Sequence, residues 1–284
     1  MFLTLLALLV VAGPQFAAPT LRLPNRPDTV KFAVLGDNGS GDSRQYELAT
    51  QMTAVHRLFA FEFVLMVGDN FYGSQTPTEL SRKFDIPYRP LLDNGVTFHA
   101  ALGNHDEPFT VNYPPLNMGG ERYYTYVRQQ IRFFVLDTNI VDPPQLRWFE
   151  STLQQSREPW KIAYFHHPLY GNAKRHGSAV DIRVLLEPLL VKYGVAVVFT
   201  GHDHVYERLK PQHGVHYFVT GSGGKLRQGD LAPAESTAAG FDRDCAFLIA
   251  EVDADTLFFQ TISRTGATVD SGTIPRAQRT TGTM

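Results

Sequence analysis

The sequence predicts an α/β protein of the mixed α+β kind, in which two mixed β-sheets pack together with helices outside. From Asp28 onward, short apolar runs typical of strands alternate with segments of helical spacing. In the last third of the chain, four apolar runs follow one another without helices between them. The 284 residues are 43 % hydrophobic and 19 % charged, which is typical of a globular chain.

Ten strands and three helices are predicted from these patterns. The strands are β-branched or aromatic runs at residues 30–35, 61–67, 97–102, 131–136, 161–165, 195–200, 215–220, 247–252, 256–262 and 269–274. The helices are at residues 43–59, 142–156 and 178–193. Asp142 and Pro143 predict a helix start, and Ser178 to Asp181 resembles a capping box. Pro188 predicts a kink in that helix and Gly194 its end, while residues 107–123 and 223–243 are predicted long loops.

Residues 28–276 are expected to form one domain, followed by a tail at residues 277–284. Residues 1–18 predict a signal peptide, because an apolar core at residues 2–12 is broken by Gly13 and Pro14. A secreted or periplasmic protein is therefore favoured over a chain that buries or frays this segment. Cleavage after Ala12 or Ala18 is open.

Composition excludes several classes of protein. The formal charge of −2 argues against a binder of duplex nucleic acid, which would need a basic face. No run of 18 apolar residues exists, so no conventional membrane-spanning helix is predicted. The lone cysteine, Cys245, permits no internal disulfide and is interpreted as a packing residue.

Five polar strings directly follow predicted strands. They are Gly36-Asp37-Asn38-Gly39, Gly68-Asp69-Asn70-Phe71-Tyr72, Gly103-Asn104-His105-Asp106, His166-His167-Pro168 and Gly201-His202-Asp203-His204. The carboxyl ends of strands in α/β sheets line one crevice, so these side chains are expected to meet. Each string alone could be a turn or a helix cap. Together they supply hard oxygen and nitrogen ligands, which suit Fe, Mn, Zn or Mg.

The five strings resemble the five-block pattern of the metallophosphoesterase (calcineurin-like) superfamily. Two details resemble the purple acid phosphatases within it: Asp37-Asn38-Gly39 in the first block, and Tyr72 three residues after Asp69. The chain length is similar to their small, single-domain class, and the resemblance covers about residues 30–275. It implies a four-layer αββα sandwich.

The resemblance also implies a dinuclear metal centre. One ion, Fe(III), would be bound by Asp37, Tyr72 and His204, and a divalent Fe, Zn or Mn by Asn104, His166 and His202. Asp69 would bridge the two ions. A phenolate ligand requires a hard, strong Lewis acid, since the free phenol has a pKa of about 10.

Further residues have expected roles outside the ligand set. The resemblance implies that His105 protonates the leaving group and that His176 is a second histidine close to the metals. Asp106 is expected to orient an imidazole, and His167 is interpreted as structural. Three basic residues have two open interpretations, contact with the substrate or a bracing or solvated role: Arg208, Lys225 and Arg227.

The implied function is that of a secreted acid phosphatase. It would hydrolyse phosphate monoesters, of small molecules or phosphoproteins, by attack of a metal-bound hydroxide at an Fe(III)–M(II) centre. Two alternatives are open: a phosphodiesterase or nucleotidase that uses Mn or Zn, and a noncatalytic protein that binds metal or phosphate.

Overall fold

The computed structural model describes residues 19–276. The predicted signal peptide and the C-terminal tail lie outside the described residues, and both stay predictions. No helix within residues 19–276 is long and apolar enough to cross a membrane.

The described residues contain thirteen strands and five α-helices. The strands are β1 (Val30–Leu35), β2 (Phe63–Met66), β3 (Thr97–Ala100), β4 (Tyr124–Arg128), β5 (Ile131–Val135), β6 (Trp160–Tyr164), β7 (Val197–Thr200), β8 (Tyr206–Leu209), β9 (His216–Thr220), β10 (Thr237–Phe241), β11 (Ala246–Val252), β12 (Thr256–Ser263) and β13 (Thr268–Pro275). The helices are α1 (Ser43–His56), α2 (Pro77–Leu80), α3 (Ile86–Asp93), α4 (Pro143–Gln155) and α5 (Val180–Lys192). A π-helical turn at Ser81–Asp85 joins α2 to α3.

The strands form two mixed sheets. The first has the order β13-β12-β11-β1-β2-β3, and the second β10-β8-β9-β7-β6-β5-β4. Strands β1, β2 and β3 run parallel, as do β5, β6, β7 and β9, whereas the remaining neighbours pair antiparallel. The parallel strands lie at one end of the first sheet and in the middle of the second, and they carry the strand ends that the polar strings follow.

Three hydrophobic clusters hold the layers together. The central one lies between the sheets and includes Phe32, Phe133 and Phe199, whose rings meet edge to face. Helices α1 and α3 cover the outer face of the first sheet, and α4 and α5 cover that of the second. The order is helix, sheet, sheet, helix, which confirms the expected αββα sandwich.

All ten predicted strands and all three predicted helices are present, with ends shifted by up to three residues. Asp142 caps α4 by accepting from the Gln145 N–H at 2.9 Å, and Gly194 follows α5 with φ +67°. The capping-box interpretation of α5 is wrong. Its N-cap is Ala179, because the Ser178 hydroxyl bonds instead to the backbone of Gly171.

Several elements were not predicted. The predicted loop at residues 223–243 contains β10, and the loop at residues 107–123 contains two 3₁₀ turns. Strands β4 and β8 and the helical stretch at residues 77–93 were also missed. The cause is composition: β10 is built of small residues, and that helical stretch contains three prolines.

Candidate metal centre

Five strand ends from both sheets meet at one edge of the sandwich. Asp37, Asp69 and Asn104 follow β1, β2 and β3 of the first sheet, and His166 and His202 follow β6 and β7 of the second. Because these strands are parallel within each sheet, their carboxyl ends face the same crevice. The topology therefore brings together residues that are up to 165 positions apart.

The first group of side chains surrounds the phenol of Tyr72. Its hydroxyl lies 2.8 Å from Asp37 Oδ1 and 3.1 Å from His204 Nε2. His204 Nε2 is 3.4 Å from the same Asp37 oxygen. The three donor atoms therefore form a triangle with sides of about 3 Å.

The second group surrounds the buried ring of His166. Its Nε2 lies 3.0 Å from Asn104 Oδ1 and 3.2 Å from His202 Nδ1. Its Nδ1 lies 3.0 Å from the Val67 carbonyl oxygen. A proton on Nδ1 satisfies that carbonyl and leaves the Nε2 lone pair free for a metal ion.

Asp69 lies between the two groups. Its Oδ1 is 3.3 Å from His166 Nε2, and its carboxylate is close enough to Tyr72 to raise that phenol's pKa. Donor atoms of Asp37, Asp69 and His166 all lie within 4.8 Å of one another. This is the position that a carboxylate shared by two ions would occupy.

The spacing and chemistry of the donors fit metal ions. Ligands at about 2.1 Å from an ion stand about 3 Å apart when their bonds are perpendicular, which matches the contacts in both groups. The first group is rich in oxygen and suits a hard ion such as Fe(III), whereas the second, with two imidazoles, suits a borderline divalent ion.

The side chains around Tyr72 oppose its ionisation by themselves. Burial and the carboxylates of Asp37 and Asp69 raise the pKa of its phenol far above the usual range. Burial and the neighbouring His166 lower the pKa of His202 to about 2. A cation among these groups would stabilise the phenolate form of Tyr72, and it would bind the neutral imidazole form of His202 that the low pKa favours.

Three candidate ligands have left-handed backbones. Asp37, Asp69 and His202 have φ angles of +53°, +51° and +68°, which are uncommon for residues other than glycine. Such conformations cost free energy and concentrate at functional sites. Two glycines permit the close packing: a Cβ at Gly103 would lie 2.0 Å from the Asp69 nitrogen, and one at Gly201 2.4 Å from Asp37 Oδ2.

The two predicted catalytic histidines flank this cluster. His105 is half-exposed, its Nε2 lies 4.0 Å from Asp69 Oδ2, and its ring centroid lies 4.8 Å from that of Tyr72. His176 is exposed, and its ring lies 4.2 Å from that of His202. The structure thus places all nine predicted site residues at one crevice.

Asp106 departs from its expected role. Its carboxylate accepts four N–H bonds at 2.7–3.1 Å from Gly103, Asn70 and Phe71. It therefore joins the loop after β2 to the loop after β3 instead of orienting an imidazole. Both loops carry candidate ligands, so Asp106 fixes their relative position.

Three other polar residues have structural contacts. His167 exchanges hydrogen bonds with Thr138, and its ring lies 4.5 Å from that of His202, which agrees with a structural role. Arg208 pairs with Asp270 at 2.7 Å and therefore braces the sheet. Burial raises the pKa of the Cys245 thiol to about 12, as expected for a packing residue.

Sequence reasoning missed Gln75, which supports the His105 loop. Its amide donates to the His105 carbonyl at 2.8 Å, and its oxygen accepts from Glu107 and Thr110. No motif marks this residue. Gln75 follows no strand and meets its partners only in the folded chain.

Comparison with known proteins places this site in a family context. The family model for calcineurin-like phosphoesterases matches residues 30–206. Tartrate-resistant acid phosphatase type 5 of Oryctolagus cuniculus is 25 % identical over 238 residues, covering 69 % of this chain and 73 % of that protein. Purple acid phosphatase 1 of Ipomoea batatas is 27 % identical, covering 73 % of this chain and 49 % of that protein.

Two solved structures share the fold. GAP50, described as the anchor in the inner membrane complex of Plasmodium, has a TM-score of 0.78 at 18 % identity, covering 89 % of this chain and 90 % of its own. Purple acid phosphatase PPD1 from seeds of yellow lupin (Lupinus luteus) has a TM-score of 0.71 at 22 % identity. That match covers 90 % of this chain and 55 % of the lupin chain.

Proposed function

The chain belongs to the calcineurin-like phosphoesterase family, and on that premise we propose that it is an acid phosphatase with an Fe(III)–M(II) centre. Its substrates are phosphate monoesters. The observation that supports this proposal most strongly is the contact of Tyr72 with Asp37 and His204, because a phenol in the donor set distinguishes an Fe(III) site from an ordinary divalent one.

The chain's own residues supply binding and proton transfer. Asp37, Tyr72 and His204 would hold one ion, Asn104, His166 and His202 would hold the other, and Asp69 would be shared between them. Two bound ions provide Lewis acidity toward the phosphate oxygens and lower the pKa of bound water. His105 stands at the mouth of the crevice, where its imidazolium donates a proton to the departing alkoxide oxygen.

An acidic operating range is part of the proposal, because proton donation requires the imidazolium form of His105. A bound trivalent ion would keep its ligands deprotonated under the same conditions.

Export is part of the proposal. The apolar core at residues 2–12, broken by Gly13 and Pro14, supports a cleaved leader. The test is expression of the full chain, followed by fractionation and N-terminal sequencing. Extracytoplasmic protein that has lost Met1 and begins after Ala12 or Ala18 supports export, whereas intracellular protein with Met1 retained contradicts it.

The activity test is hydrolysis of p-nitrophenyl phosphate together with metal analysis. Wild type is expected to hold two metal ions per chain and to hydrolyse the ester in acid. Asp69→Ala and His202→Ala are expected to lose metal and activity, whereas Lys210→Ala, an exposed residue beyond β8, is the control.

The alternatives predict other results. A colourless enzyme that is fully active with Mn or Zn, or that prefers diesters, would be a phosphodiesterase or nucleotidase. GAP50 is described as an anchor, so the fold alone does not decide for catalysis. Metal binding without hydrolysis of any phosphate ester would identify a noncatalytic protein.

A further inference from the structure

Two loops form a basic rim beside the candidate metal centre. The rim loops are residues 172–177 and 223–230. They carry four cationic residues, Lys174, Arg175, Lys225 and Arg227, and one acidic residue, Asp230. The whole chain has 26 basic and 28 acidic residues, so this is a local concentration of positive charge.

The second rim loop is fixed to the backbone of the candidate ligands. The Lys225 N–H donates to the Asp37 carbonyl at 2.9 Å, and the Arg227 N–H donates to the His204 carbonyl at 3.0 Å. The Gly223 N–H donates to Gly36 at 2.9 Å. Lys225 and Arg227 therefore belong to the wall of the crevice and not to a freely solvated loop.

The first rim loop is attached to the second. The Lys174 N–H donates to the Asp230 carbonyl at 2.8 Å, its Nζ donates to the Gly229 carbonyl at 2.7 Å, and Ala232 donates to Asn172 at 2.9 Å. Arg175 and His176 are thereby held at the same edge. The His176 ring lies 4.2 Å from that of His202, so the loop that carries Arg175 lies beside the candidate ligands.

Part of the positive charge in the rim is not neutralised. The charge of Arg227 has acidic groups nearby. Its Nη1 lies 3.6 Å from Asp230 Oδ2, and the Asp203 carboxylate is buried close to Asp230. Among residues 19–276, neither Arg175 nor Lys225 forms an ion pair. The Lys225 ammonium lies 5.0 Å from the centroid of the Tyr72 ring, and the His105 ring lies 4.8 Å from the same centroid.

We propose that Arg175 and Lys225 of the rim loops bind a second phosphate group of the substrate, so that the favoured substrates carry a diphosphate. This inference rests on the proposed phosphatase function and names its substrate class. The terminal phosphate occupies the metal centre, and the leaving group departs beside His105 and Lys225. A leaving group that is itself a phosphate is negatively charged, so the imidazolium of His105 and the ammonium of Lys225 attract it.

The hydrolysis step balances with water alone. The bond between the terminal phosphorus and the bridging oxygen breaks, and an oxygen of water forms the new bond to that phosphorus. The bridging oxygen leaves with the electron pair as part of the inner phosphate. One proton of water remains on the terminal phosphate and the other passes to solvent. His105 protonates the inner phosphate and regains its proton from solvent, so the two protons of water are accounted for.

Binding of non-hydrolysable ligands tests the inference without relying on turnover. Methylenediphosphonate, which has two phosphonate groups, is compared with methylphosphonate, which has one, by calorimetry on the metal-loaded protein. The quantity measured is the ratio of the two dissociation constants. Arg175→Ala/Lys225→Ala is expected to reduce the preference for methylenediphosphonate at least tenfold, and Arg175→Lys/Lys225→Arg is expected to retain most of it.

A matched control removes the same charge elsewhere. Arg157→Ala/Lys210→Ala alters two exposed residues outside the rim loops, beyond α4 and β8, and is expected to keep the wild-type ratio. Thermal unfolding checks that each variant folds. The same variants are assayed for kcat/KM on inorganic diphosphate and p-nitrophenyl phosphate, and the diphosphate preference is expected to fall in parallel.

The results separate the two proposals. An unchanged ratio of dissociation constants in the rim variant overturns the inference alone. If both ligands also bind more weakly by the same factor, the rim is a general source of electrostatic attraction. A wild type that neither hydrolyses p-nitrophenyl phosphate nor binds methylphosphonate overturns the proposed function and this inference with it.

Discussion

The hydroxyl of Tyr72 lies 2.8 Å from Oδ1 of Asp37, although 35 positions separate the two residues in the chain. Asp37 follows β1 and Tyr72 lies in the loop after the neighbouring β2, whose parallel pairing brings the two loops together. The Tyr72 N–H donates to the Gly39 carbonyl at 3.0 Å, which fixes the second loop against the first. The parallel pairing of β1 with β2 therefore determines the contact between Tyr72 and Asp37.

Replacement of Tyr72 by Phe tests the iron assignment. Wild type purified without added metal is expected to show a broad band in the visible spectrum, because a phenolate bound to Fe(III) absorbs there. Tyr72→Phe is expected to lose the band. Tyr46→Phe, at a hydroxyl that bonds to Arg82 outside the site, is the control and should keep it. A band that survives in Tyr72→Phe would exclude this tyrosine as its source.

His105→Ala tests the proposed proton donor. General acid catalysis contributes about 10²–10⁴-fold, and its value rises with the pKa of the leaving alcohol. The loss in kcat is expected to be far greater for glycerol phosphate than for p-nitrophenyl phosphate. Equal losses for both esters would remove the acid role, since the phenolate of the second ester needs little help to leave.

Asp106→Ala tests whether the two ligand loops depend on one carboxylate. The change deletes four hydrogen bonds, of which three join the loop after β2 to the loop after β3 and the fourth, from Gly103, lies within the second loop. Metal affinity is expected to fall about 10- to 100-fold, as is typical when a partner that orients ligands is removed. The measurement is competition with a chelator. The control is Asp244→Ala, whose carboxylate pairs with Arg264 outside the site; equal losses in both variants would contradict a specific role.

The burial of His99 leads us to expect that the protein loses stability in acid. His99 is 8 % exposed, its ring stacks on Tyr126 at 4.4 Å, and burial together with Arg128 lowers its pKa to about 4. The unfolded chain therefore takes up a proton near pH 6.5, before the folded protein does. The free energy of unfolding is expected to fall by up to about 3 kcal/mol between pH 6.5 and pH 4 from this residue.

His99→Phe isolates that effect. The substitution keeps an aromatic ring against Tyr126 but removes the group that binds a proton. The free energy of unfolding of the variant should therefore fall less than that of wild type as the pH falls. Urea unfolding at pH 7 and pH 4.5 measures the difference. His213→Asn, at an exposed position with φ +48°, should follow wild type. A wild-type slope in His99→Phe would show that other groups govern acid stability.

Most of the fold and the site geometry could be predicted because the chemistry lies at strand ends. Strands β1 to β3 and β6 to β7 are short apolar runs followed directly by polar residues, and parallel pairing then brings their ends together. The role of each side chain as a ligand or an acid stays a prediction, because the fold fixes the distances between donor atoms and not the ion that they bind.

The remaining errors have physical causes. Ser178 has the composition of a helix cap, but a tertiary contact with Gly171 takes its hydroxyl. Asp106 follows His105 in the motif, yet its partners are three backbone N–H groups and the side-chain amide of Asn70, and no sequence pattern marks these contacts. The left-handed backbone of Asp37 and Asp69 is equally invisible in sequence, because neither is a glycine.

The most direct test of the central claim is anomalous X-ray scattering from crystals of the protein purified without added metal, collected at the iron absorption edge and at a remote energy. Two metal peaks are expected on either side of Asp69, with iron beside Asp37, Tyr72 and His204 and the second ion beside Asn104, His166 and His202. A single peak, or two peaks without contact to Asp69, would contradict the dinuclear centre proposed here.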